Sequence, residues 1–318
     1  MKKIILTFLM VSLLLCSCGT ADKTKGSETT DITNTSTKEL STQGQVTSIP
    51  LQKLEPSKVE KVVIKSNALK KDMNINIYLP EGYSNANKYP VLYLLHGYSG
   101  TQDSWINDLG VVDNADRLIK EKKIKPIIIV SPLIDNSFGV NSSEVAETLY
   151  GNNRNSNMHK GMYEDYIIKD VVSYIDNNYS TINSRDGRYI GGLSMGGYAA
   201  LYLSFKHIDM FSKVGGHSPA LFLDDISRVD KALLYPNEDV HRQRDPILMA
   251  GYMDLSNLNI YLDCGKEDGL RFYNGCEKLN NNLKDKGVNI QYHLNPGAHD
   301  GAYWSSHVED YLLFYAGQ

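Results

Sequence analysis

The chain has 318 residues, 42% of them hydrophobic and 22% charged, enough to bury a real core in one large domain or two small ones. Its formal net charge is -4, with lysine and arginine scattered rather than gathered on one face. That excludes the electrostatic footprint of a protein that grips nucleic-acid backbones.

The first eighteen residues, MKKIILTFLMVSLLLCSC, have a basic start, an apolar run too short to span a bilayer comfortably, and small residues at the end. This is the pattern of an export signal. Leu15-Cys16-Ser17-Cys18 resembles the lipobox of bacterial lipoproteins, in which the cysteine becomes the acylated first residue. Small Ser17 precedes Cys18, whereas bulky Leu15 precedes Cys16, so Cys18 is the expected lipidation site and residues 1–17 the expected signal peptide. The expected location is the outer face of a bacterial cell membrane, with a lipid as the only membrane contact. Residues 18–57 are rich in Thr, Ser, Lys and Gln with hardly an aromatic, a composition that cannot offset the entropy of ordering, and they read as a disordered tether.

From residue 58 to the end, apolar segments switch between period 2 and period 3.6. MNINIYLP (73–80) alternates, as an edge or antiparallel strand does. PVLYLLHG (90–97), PIIIVSP (126–132), GRYIGG (187–192), KVGGHS (213–218) and LNIYLDCG (258–265) are short apolar runs ending in small or polar residues, the form of central parallel strands buried on both faces. Over 164–177, Ile167, Ile168, Val171, Val172 and Ile175 share one helical face, and the run after Ser194 continues with packing residues to Phe205. The order predicts an α/β domain over 58–318 with a doubly wound, mostly parallel central sheet and helices on both faces. Segments 133–162 and 219–257 read as irregular and too long for simple connections, so they are expected to shape a pocket. Cys264 and Cys276 lie twelve residues apart. They could pair in an oxidising space or remain two buried thiols, and neither has the clustering of a metal site.

The chemistry centres on Gly192-Leu193-Ser194-Met195-Gly196, which fits G-x-S-x-G between an apolar strand and a helix. A serine hydroxyl is a poor nucleophile and needs a base, itself oriented by a carboxylate. In α/β-hydrolases the chain order is serine, acid, histidine. His207, His217 and His241 come too early, His293 is fixed within an alternating strand and His307 falls in the last helix, which leaves His299 on the Pro-Gly loop as the expected base. For the acid, IYLDCGKEDGL offers Asp263, Glu267 and Asp268; Asp268 is favoured because it lies on the loop beyond the strand. The expected oxyanion donors are the backbone N–H groups of Met195, after the nucleophile, and Tyr98, where an earlier strand ends in LLHGYSG.

Together YLLHGYSGTQDSW, YEDYIIKDVVSYIDNNY, YIGGLSMGGYAAL, YLDCGKEDGL and PGAHDGAYW resemble the esterase D-like family of α/β-hydrolases. That family includes feruloyl and acetyl xylan esterases, siderophore esterases, S-formylglutathione hydrolases and mycolyltransferases. The resemblance implies the α/β-hydrolase fold, a serine carboxylic-ester hydrolase with Ser194, Asp268 and His299 as its triad, Tyr98 and Met195 as oxyanion donors, and no metal or organic cofactor. An exported, tethered enzyme fits esters carried on polysaccharide, feruloyl or acetyl, better than the cytosolic branch. A siderophore trilactone esterase, an acyltransferase and a non-catalytic carbohydrate-binding lipoprotein are the alternative readings. Trp105 and Trp304 are expected to pack beside the site.

Overall fold

A computed structural model describes residues 54–142, 158–223 and 228–318. The expected signal, Cys18 and nearly all of the tether lie outside the described residues, as does part of segment 133–162. Among the described residues ten strands form: β1 (Lys58–Ser66), β2 (Lys71–Leu79), β3 (Val91–Leu95), β4 (Ile128–Pro132), β5 (Asn141–Ser142), β6 (Gly161–Met162), β7 (Arg188–Leu193), β8 (Lys213–His217), β9 (Asn259–Gly265) and β10 (Asn289–Asn295). Eight of them make one sheet in the order β1-β2-β4-β3-β7-β8-β9-β10, while β5 and β6 pair apart. The β1–β2 hairpin joins antiparallel and the other six strands of this sheet, β4-β3-β7-β8-β9-β10, run parallel.

The period-2 alternation of the strands decides which helices they meet. Val91, Tyr93 and Leu95 of β3 face one core layer with Ile128, Val130, Ile190 and Val214, whereas Leu92 and Leu94 face the other with Ile129 and Leu193. α1 (Val111–Lys120) and α8 (Gly301–Ala316) cover the second face. The first face carries a helical run, α2, built of Tyr163–Asp165, a π-helical stretch Tyr166–Val171 and Val172–Asn178, together with α3 (Met195–Lys206) and α7 (Phe272–Lys284). This is the doubly wound α/β-hydrolase arrangement. It brings the ends of β3, β7, β8, β9 and β10 to one edge of the sheet.

Two expectations need correction. Segment 219–257 is not irregular: it carries α4 (Arg228–Leu234), α5 (Glu238–Arg244) and α6 (Pro246–Tyr252). The starts of α5 and α6 use ordinary caps, since Asn237 accepts from Val240 N and Asp245 accepts from Ile247 N ahead of a proline. The predicted helix over 164–177 exists but widens to π-helical geometry across Tyr166–Val171.

α3 is buried along almost its whole length and is tied to α2 through Glu164. That carboxylate, 4% exposed, accepts hydrogen bonds from Tyr202 Oη (2.6 Å), Lys206 Nζ (2.9 Å) and His207 Nε2 (2.9 Å). Burial pushes its pKa up, but the bonds from His207, Tyr202 and Lys206 outweigh burial and hold it at about 2. The unfolded carboxyl protonates first, so this stabilisation is complete above the ordinary value of 4.5 and is lost as pH falls from there towards 2. Glu164→Gln is expected to cost roughly 1–3 kcal/mol at neutral pH and to flatten that part of the acid limb, measured by urea midpoints at pH 7 and pH 3.

Candidate active site

β7 ends in two glycines and a leucine, and the next residue, Ser194, is the N-cap of α3. Its backbone stands at φ 52° and ψ -117°, a region that L side chains rarely adopt. The strain persists because three backbones converge there: a Cβ at Gly192 would lie 2.3 Å from the Gly196 carbonyl group, and one at Gly196 would lie 2.3 Å from Leu95 O. No side chain fits at either place. The strand-to-helix turn therefore presents the serine hydroxyl at the sheet edge and at the positive end of a twelve-residue helix.

His299 is in the loop between β10 and α8. Its Nε2 lies 2.8 Å from Ser194 Oγ, and its Nδ1 lies 3.0 Å from Asp268 Oδ2. Because ionised Asp268 only accepts, Nδ1 carries the proton, and Nε2 is left as an acceptor facing the serine hydroxyl. Asp268 is 2% exposed, and it also accepts from Leu270 N (2.8 Å) and Cys264 Sγ (3.4 Å). Burial alone pushes its carboxyl up, but the hydrogen bond and charge of His299, with Leu270 N and Cys264, hold it below the usual range. It stays an anion where the imidazole needs one.

The other histidines are engaged elsewhere. His207 meets Glu164, His217 meets Asp263, His241 meets Asp245 and His307 meets Asp310, while His293 stacks on Tyr261 within β10. Of the acids considered from sequence, Asp263 is turned to His217 rather than His299, and Glu267 serves as a clamp, its side chain accepting from Gly297 N while its own N–H donates to Gly297 O (3.0 Å). Glu267 thus laces the acid loop to the histidine loop. Phe272 and Trp304 stand edge-on to the imidazole at 5.3 and 4.9 Å, and Trp105 packs deeper, donating to Leu95 O (2.9 Å).

The two expected oxyanion donors flank the serine. Met195 is the first residue of α3, and first-turn N–H groups have no partner inside their helix. Tyr98 follows Gly97, where an added Cβ would come within 3.5 Å of Ser194 Cβ, so the turn after β3 abuts the serine. The turn is pinned on both sides of Tyr98, by Ser99 N donating to Asn136 Oδ1 (2.7 Å) and by His96. His96 accepts from Ile134 N on Nε2 (3.0 Å) and donates from Nδ1 to Gly97 O (2.8 Å), a neutral bridge between two loops. Neither His96 nor Glu267 was identified as a support from sequence, because their roles rest on backbone partners that no motif displays. Cys264 and Cys276 are both free, buried thiols. Among the described residues no group of three or more His, Cys, Asp or Glu side chains could hold a metal ion.

Residues 66–315 match the family profile described as "Putative esterase". Over 234 residues the chain is 25% identical to an acetyl esterase of Caldicellulosiruptor saccharolyticus, covering 68% of this chain and 79% of that protein. Over 187 residues it is 29% identical to an endo-1,4-beta-xylanase/feruloyl esterase of Xylanibacter ruminicola, covering 56% of this chain and spanning only 24% of that longer protein. Among solved structures, a ferulic acid esterase superposes with a TM-score of 0.69 at 25% identity, covering 82% of this chain and 98% of that one.

The His96 bridge makes this edge of the sheet sensitive to acid. Burial holds its pKa down at about 4, against a small opposing effect of the bond to Gly97. Below pH 6.5 the unfolded imidazole binds a proton that the folded one refuses until about pH 4, so stability falls as pH drops across that window. Over the full window the loss approaches about 3 kcal/mol, at 1.36 kcal/mol per pKa unit. His96→Gln is expected to remove this part of the pH slope, read as the difference between denaturation midpoints at pH 7 and pH 4.5.

Proposed function

Because this chain belongs to the esterase family matched over residues 66–315 and is a carboxylic-ester hydrolase, we propose that Ser194 is its nucleophile, His299 its general base and Asp268 the acid that orients the base. Ser194 Oγ attacks the ester carbonyl carbon while its proton passes to His299 Nε2. The carbonyl electrons move to the oxygen, which takes hydrogen bonds from the N–H groups of Met195 and Tyr98. Collapse expels the alcohol, protonated by His299, and leaves an acyl-serine. Water, deprotonated by the same imidazole, attacks the acyl carbon, and the carboxylate product leaves as Ser194 recovers its proton. Asp268 stays ionised throughout and stabilises the imidazolium. The observation that carries this reading is the unbroken line from Asp268 through His299 to Ser194 at 3.0 and 2.8 Å, ending on a serine held at positive φ.

The substrate class we favour is an ester borne on polysaccharide, with a feruloyl or acetyl acyl group. Support comes from the acetyl esterase and xylanase/feruloyl esterase relatives and from the ferulic acid esterase likeness. Exposed Tyr98 and Leu270, one bearing an expected oxyanion donor on its backbone and the other bonded through its N–H to the acid, offer apolar surface suited to an aromatic acyl group. The export signal over 1–17, lipid at Cys18 and a tether to residue 57 complete the proposal, placing the hydrolase on the outer face of the cell membrane beside an insoluble substrate.

Ser194→Ala is expected to lower turnover of an aryl ester by about 10⁴ to 10⁶, and near-wild-type turnover would remove Ser194 from the reaction. On a panel of feruloylated xylan, acetylated xylan and a catecholate trilactone, the two polysaccharide esters are expected to turn over fastest. Preference for the trilactone would contradict the polysaccharide reading.

A further inference from the structure

We propose that Asp263 is a positioning residue for the reaction: through the hydroxyl of Tyr303 it holds the loop carrying His299 in register with Ser194. This rests on the reading of Ser194 and His299 given above and adds a part that the triad does not contain.

Asp263 lies in β9 with no exposed surface. Its carboxylate accepts hydrogen bonds from His217 Nδ1 at 3.1 Å, Tyr303 Oη at 2.7 Å and Tyr311 Oη at 2.8 Å. A carboxylate sealed beneath a sheet edge is costly unless its hydrogen bonds are satisfied, and an apolar residue would fill the same space without that cost. What distinguishes this carboxylate is the pair of elements it joins. On one side, His217 belongs to β8, pairs in register with Leu193 and accepts Ser194 N on its backbone oxygen at 2.9 Å. The Asp263 carbonyl in turn accepts Ser218 N at 2.8 Å, so the backbone next to the nucleophile is fixed to the strand that bears the carboxylate.

On the other side, Tyr303 stands in the first turn of α8, its N–H capped by Asp300 Oδ1 at 2.9 Å. Its ring lies so close to the histidine loop that a Cβ at Gly297 would come within 2.6 Å of it, and its hydroxyl accepts from Asn295 Nδ2 at 3.4 Å. His299 is the residue between these attachments. Fixing the Tyr303 hydroxyl on Asp263 fixes both ends of the loop, and with them the distance from imidazole to serine. An error of about 1 Å in such a placement costs about 100-fold in rate.

Tyr311 supplies an internal control. It donates to the same carboxylate oxygen at nearly the same distance, but it sits two turns further along α8 and stacks on His217 at 3.6 Å instead of touching the histidine loop. Tyr303→Phe and Tyr311→Phe each remove one hydroxyl from Asp263 and keep the ring, and Tyr303→Phe also removes the acceptor of the long 3.4 Å bond from Asn295. The experiment measures kcat and KM on an aryl ester, with melting temperatures, for both variants beside wild type and Ser194→Ala. Tyr303→Phe is expected to lower kcat by about 10-fold to 100-fold with KM within about twofold, while Tyr311→Phe keeps kcat within about twofold and loses as much thermal stability. Equal kcat effects in the two variants, or a Tyr303→Phe enzyme as fast as wild type, would overturn the positioning role while a dead Ser194→Ala enzyme leaves the nucleophile in place. An active Ser194→Ala enzyme overturns both.

Discussion

Everything at the sheet edge follows from how closely β7, the start of α3 and the end of β3 approach one another. Backbone atoms of Gly192, Gly196 and Leu95 occupy the space that side chains would need, and Ser194 pays for the turn with a left-handed backbone that costs on the order of 1–3 kcal/mol. The stabilisation that offsets this strain comes from the buried length of α3 and from the ionic tie between Glu164 and its far end. The serine hydroxyl is therefore placed by rigid elements on both sides, which is what the proposed role of nucleophile, without an activating charge of its own, requires.

Around that fixed point, each neighbouring loop is held by a polar contact rather than by apolar packing alone. His96 fixes the turn after β3, Glu267 laces the loops after β9 and β10, and Asp268 satisfies its lone pairs with His299, Leu270 N and Cys264. Two carboxylates on β9 and its following loop each take a histidine, with different surroundings. The imidazole of His299 keeps 12% of its side-chain surface and reaches the serine, whereas His217 and Asp263 are sealed completely. Accessibility, rather than residue type, separates the pair able to meet a substrate from the pair that can only support.

The sequence carried much of this arrangement in readable form. Strands at 91–95 and 128–132 announce themselves as apolar runs because both faces are buried, and the G-x-S-x-G spacing marks the turn because only glycines allow its approach. His299 and Asp268 could be selected because loops beyond parallel strands converge at one edge. α4, α5 and α6 were illegible as helices because each is only seven residues long, too short for a helical periodicity to show, although Asn237 and Asp245-Pro246 were usable start signals for α5 and α6. The contact between His217 and Asp263 was hidden for another reason. It joins adjacent strands 46 residues apart in the chain, and only the sheet register brings them level. A charged residue inside the apolar run IYLDCG was the one local sign that such a partner had to exist.

If strain and alignment make the Ser194 hydroxyl reactive, a fluorophosphonate attaches to it. Trypsin should release Tyr189 to Lys206 as a single peptide, since no lysine or arginine lies between. One adduct per chain, mapped by mass spectrometry to Ser194 and arising as esterase activity disappears, is the predicted result. Activity that persists without an adduct, or an adduct on a different residue, would contradict it.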